Sequence, residues 1–95
     1  MTTNAGRPLF PLGQLVATPG ALQALAAAGV TPAQLLARHV TGDWGEVDAE
    51  DAAENAFSLA HGFRILSSYP LGEERIWIIT ERDRSATTLL LPSEY

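Results

Sequence analysis

A chain of 95 residues with 46% hydrophobic content is long enough for one domain and too apolar for disorder. It has no cysteine, which excludes a disulfide framework, a thiolate nucleophile and a zinc–thiolate site. The net charge is −5 and all 6 basic residues are arginine. That balance argues against general duplex binding, which depends on neutralising phosphates, but leaves room for a local arginine-lined pocket. No apolar run approaches the roughly 20 residues of a membrane span. The N-terminus lacks the basic start and apolar run of a leader, so a cytoplasmic location is expected.

Met1–Pro11 is small, polar and punctuated by proline, and is expected to be a flexible arm. Residues 12–95 are expected to form a single domain. Leu12–Thr18 is a short strand candidate, stopped by Pro19. Thr18-Pro19 then reads as a helix start, with a threonine cap and proline in the first turn. Leu22, Leu25 and Ala26 recur at helical spacing before Gly29. Thr31-Pro32 repeats the signal, followed by Leu35, Leu36 and His39 ahead of Gly42. These two units predict an αα-hairpin with a very short connection. Asp48 caps a third helix whose first turn is acidic, as the helix dipole favours, and Gly62 ends it.

The remainder predicts antiparallel strands: Phe63–Tyr69, a turn at Pro70–Glu74, Arg75–Glu81, a turn at Arg82–Ser85, and Ala86–Leu91 before Pro92. Helices first and a meander after mean an α+β fold. Three helices are expected to pack on one face of a three- or four-stranded antiparallel sheet.

The most unusual segment is His39-Val-Thr-Gly-Asp-Trp-Gly-Glu46, a histidine, an acid and a large aromatic in a loop bracketed by glycines. His39 is a candidate general acid or base because its reference pKa lies near neutrality, with Asp43 to orient it. The plainer alternative is that His39 binds the last carbonyls of its helix, Asp43 makes an Asx turn and Trp44 plugs the core. Gly42 and Gly45 suggest positive φ and a defined loop shape that delivers Trp44 inward or presents it to a partner. Asp43, Trp44 and Glu46, with the neighbouring sheet edge, are the expected binding surface.

A second candidate is the arginine set. On strands, Arg64 and Arg75 can share a side with the hydroxyls of Thr87 or Thr88 and bind phosphate. The alternative is a solvated face beside Glu73, Glu74 and Glu81. No cofactor is expected, and no metal, since His39, Asp43 and His61 form no ligand pattern.

The phrases Leu12–Ala21, Leu36–Glu46 and Ile76–Tyr95 resemble a family of short bacterial proteins encoded on plasmids and integrative elements, described as plasmid-related proteins or restriction-system subunits. The likeness covers nearly the whole chain after the N-terminal arm. It implies an accessory or interaction module of a mobile element, binding a protein partner or itself. The cofactor-binding domain of a methyltransferase subunit is not expected within these 95 residues.

A more distant similarity in element order is to the metal-independent ribonucleases of the barnase–EndoU–colicin–RelE class. It implies His39 as acid/base, Arg64 stabilising the phosphorane and Thr87 or Thr88 binding phosphate, with RNA as substrate. Such an enzyme requires all of them around one scissile phosphate.

Overall fold

The computed structural model describes residues 7–95. The chain runs β1 (Gln14–Ala17), α1 (Pro19–Ala28), α2 (Pro32–Val40), α3 (Ala49–His61), β2 (Ile65–Leu71), β3 (Glu74–Thr80) and β4 (Ala86–Leu90), then a 3₁₀ turn at Pro92–Glu94. The fold is α+β, with three helices and a four-stranded sheet in the order β1-β4-β3-β2.

The helix starts follow the side chains that cap them. The Thr18 hydroxyl accepts from the Ala21 N–H at 3.1 Å. Thr31 and Gln34 form a reciprocal capping box. Asp48 accepts from the Asp51 N–H at 2.8 Å. Each satisfies a donor that the first helical turn leaves open. Prolines 19 and 32 stand at the first position, where a missing N–H costs nothing. The chain bends by 102° between α1 and α2. Among the described residues no single helix is long and apolar enough to cross a membrane.

The sheet differs from the expected meander in one pairing. β2, β3 and β4 are antiparallel, but β1 adds to β4 in parallel, so the sheet is mixed. A parallel neighbour needs a long crossover, and here all three helices and two strands lie between β1 and β4. Pro70 lies inside β2 rather than ending it. The backbone groups of Leu66 and Ser68 point away from β3, and by alternation so does the nitrogen of Pro70, so its missing N–H breaks no ladder bond. The turn is instead Gly72-Glu73, with positive φ at the glycine alone, the pattern of a type II′ hairpin.

The registers align one side chain row after another. Ile65, Thr80, Thr87 and Leu15 lie across one face of the sheet, and Ser67, Ile78, Leu89 and Ala17 follow. Ala21 and Leu25 of α1 and Leu35 and Leu36 of α2 pack on this inner face with Tyr69, Ile76, Ile78 and Leu89. Helix α3 is placed differently. It is held to the rim of the sheet by Asn55, whose amide takes both backbone groups of Leu66 (Nδ2 to Leu66 O 2.7 Å, Leu66 N to Oδ1 3.1 Å). The expectation of three helices on one face of an antiparallel sheet therefore holds only in its coarser form.

The expected arm divides in two. Met1–Gly6 lie outside the described residues. Leu9 is tied by its N–H to Val40 O at 2.8 Å, and Phe10 is buried, so the loose arm does not extend this far.

Candidate functional site

His39 follows Leu35 and Leu36 at helical spacing on α2, and that face is pressed onto the sheet. The imidazole is 0% exposed. Its Nδ1 lies 2.6 Å from the Ser67 hydroxyl and its Nε2 2.9 Å from that of Thr80. The Thr80 and Thr87 hydroxyls are 2.7 Å apart, and Thr87 donates to Leu12 O at 2.7 Å.

The terminal carbonyl sets the direction of the whole chain, because a carbonyl only accepts. Thr87 gives its proton to Leu12, so Thr80 donates to Thr87. Thr80 must then accept from His39 Nε2–H, which leaves Nδ1 to accept from Ser67. This order specifies a neutral Nε2–H imidazole. Burial acts the same way and lowers the His39 pKa to about 4. Phe10 meets the ring edge-on at 5.3 Å and Trp44 at 6.0 Å. Both ring nitrogens are engaged by hydroxyls, so neither offers a free lone pair to a metal.

Thr87 is thus brought to His39 through Thr80, inside the core. Arg64 and Thr88 are not. Thr88 is on the opposite face of the sheet from Thr87. Arg64 donates to the Tyr95 hydroxyl at 2.6 Å, and Tyr95 stands edge-on to Trp77 at 5.7 Å. Trp77 pairs with Leu90 in the row next to Thr88, also on the outer face. The four residues of the ribonuclease constellation therefore divide between two sides of the sheet, and the imidazole among them is sealed from solvent.

The loop expected to present a surface instead closes a sheet edge. Ser68 N–H donates to Trp44 O, and Glu46 N–H donates to Ser68 O, so residues 44–46 run beside β2 as a short parallel bridge. Gly45 has φ +74, and a Cβ there would collide with the Ser68 carbonyl and the Tyr69 ring. The glycine is required by this close approach. Asp43 accepts from Arg38 Nε at 2.7 Å and from Gly45 N–H at 3.2 Å, the Asx-type contact foreseen for it. The Arg38 hydrogen bond holds the Asp43 carboxyl below the usual carboxylate range. Arg38 also lies over the Tyr69 ring at 4.5 Å, while the Tyr69 hydroxyl donates to Asp43 O. Burial pushes that phenol up to about 12. Glu46 pairs with Arg75 at 3.0 Å, and Arg75 also donates to Ser68 Oγ. Trp44 is half-buried against Phe10, 6.4 Å away. Asp43, Trp44 and Glu46 each hold the loop to the fold.

A different surface carries exposed aromatics. On α3 and just after it, Phe57 stacks on His61 at 4.1 Å and on Phe63 at 5.8 Å, the two phenyl planes within 9°. Phe57 is 56% and Phe63 46% exposed, which is unusual for rings of this size. Beside them opens a groove of about 670 Å³, lined by Asp51, Glu54, Phe57, Phe63, Arg64 and Arg82. The i,i+4 spacing of Phe57 and His61 was the sequence signal for the stack. Asn55 had one as well, since asparagine is a poor helix former amid alanines.

No family model, curated protein or solved structure matches this chain.

Proposed function

We propose that the chain is a small non-enzymatic accessory module of a mobile genetic element that works by binding a protein partner. The mobile-element setting rests on the sequence resemblance. The binding reading rests on one observation: the exposed, parallel Phe57–Phe63 stack beside a groove. Exposed aromatic groups in a concave site are the usual anchors of an interface. Asp51, Glu54 and Glu81 line the same groove and outnumber Arg64 and Arg82 there, on a chain of net charge −5 with an acidic run from Asp43 to Glu54. The partner that fits is a protein segment with apolar side chains and basic residues, the aromatics supplying contact area and the acids steering its approach.

Placement of the titratable groups favours this reading over catalysis. The imidazole is spent on core hydroxyls, and Arg64 and Thr88 lie on the other side of the sheet from it. No observation gives the ribonuclease alternative a shared cleft.

The test is affinity capture from host cells with the wild-type chain and with a Phe57→Ser/Phe63→Ser variant, alongside a ribonuclease assay on single-stranded RNA. The expected result is a protein retained by the wild type and lost by the variant, with no RNA cleavage. Identical capture by both chains removes the groove as the binding surface, and RNA cleavage lost on His39→Ala replaces this reading with the enzymatic one.

A further inference from the structure

The two edges of the sheet are treated differently. At β2, Asn55 takes the outward groups of Leu66, and Trp44 and Glu46 take those of Ser68. At β1, Gln14 N–H donates to Ser85 O and Thr18 N–H to Leu89 O. Alternation along the strand then turns the N–H and C=O of Leu15 and Ala17 outward, away from β4. Natural edges are usually defended by a charge, a proline, a bulge or a covering segment. Gln14–Ala17 contains no charge and no proline, and pairs with β4 without a bulge. Its two largest apolar side chains are exposed, Leu15 at 54% and Val16 at 43%, on opposite faces of the sheet.

We infer that β1 is a self-association edge, where a second copy of this chain pairs antiparallel about a two-fold axis and continues the sheet through both molecules. Three features select a second copy as the occupant. Another copy carries the same outward row of donors and acceptors, which takes no backbone partner among the described residues. The strand is uncharged on a molecule of net charge −5, so two copies meet here without placing like charges opposite each other. Finally, the geometry is self-complementary. A two-fold axis at Leu15 sets Leu15 against its own equivalent and Gly13 against Ala17. An axis at Val16 sets Leu15 against Ala17 and Val16 against its equivalent. In both registers outward groups face outward groups, and Leu15 and Val16 are covered on their own faces. This is the isologous contact of a closed dimer.

This surface is separate from the Phe57–Phe63 groove, so the two readings stand or fall independently. The test is solution mass by light scattering or sedimentation on the full chain, from micromolar concentration to the millimolar range, where even a weak dimer populates. The expected mass is twice the 10.1 kDa of the chain, falling to the single-chain value for Leu15→Lys. Leu15→Pro serves as the second variant, because besides the leucine side chain it removes an outward N–H while leaving the β1–β4 bonds in place. Circular dichroism establishes that each variant is folded. Hydrogen exchange of the wild type adds a local readout: the Leu15 and Ala17 amides gain protection as concentration rises. A single-chain mass throughout the range overturns the inference. So does a dimer that persists in folded Leu15→Lys or Leu15→Pro, since it would use another surface.

Discussion

The Nε2 atom of His39 lies 2.9 Å from the Thr80 hydroxyl, joining α2 to β3 at the centre of a fully buried polar chain. Buried networks of this kind are costly when one member is missing, because the partners lose water as well as each other. Replacing His39 with alanine leaves Ser67 and Thr80 without their ring partners and opens a cavity beneath α2. The expected loss of stability is about 3 kcal/mol, measured by urea unfolding. Thr87→Val, which removes the link to Leu12, is expected to cost about 1–2 kcal/mol.

The same burial sets the pH dependence. The folded His39 pKa of about 4 lies below the unfolded value of 6.5, so the unfolded chain takes up the proton first. Stability is full above pH 6.5 and falls as pH drops toward 4, where this group's loss is complete. The loss attributable to His39 is about 3 kcal/mol. Unfolding free energies across this window, compared between wild type and His39→Gln, check it. The glutamine variant is expected to lose most of the slope.

Asn55 guards the edge of β2. Asn55→Ala strips a hydrogen bond from each backbone group of Leu66, at an expected cost of about 2 kcal/mol. The Leu66 amide is expected to show the largest local rise in hydrogen exchange.

Gly45→Ala adds a methyl group against the Ser68 carbonyl at a left-handed backbone position. The expected destabilisation is about 2 kcal/mol or more, visible in thermal melting. Asp43→Asn, two residues earlier, breaks the Arg38 ion pair. Both partners are half-exposed, so the expected change is below about 1 kcal/mol. The contrast separates a loop held by shape from one held by charge.

The helix starts were legible because Thr18, Thr31 and Asp48 act on donors three residues away. The parallel pairing of β1 with β4 was not, because nothing local in Gln14–Ala17 encodes a partner more than 70 residues on. Pro70 misled for a related reason: whether a strand tolerates proline depends on which neighbour its nitrogen faces. His39 was singled out from the sequence, but for catalysis or for capping its own helix. The spacing from Leu35 and Leu36 already placed it on the apolar face, and Ser67, Thr80 and Thr87 share one side of their strands. What the sequence could not show is that these hydroxyls would meet at one imidazole, since that depends on the strand register. The Asp43–Glu46 loop was likewise singled out for its composition, which serves a tight crossing against β2.

The central claim is that His39 is a structural, neutral imidazole held by buried hydroxyls. Nitrogen-detected NMR titration of the His39 ring tests it most directly. The account predicts a single Nε2–H tautomer that stays neutral from pH 8 down to about pH 5, consistent with a pKa of about 4. A ring that titrates near 6.5, with its proton exchanging freely with solvent, would contradict the sealed network and reopen the case for catalysis.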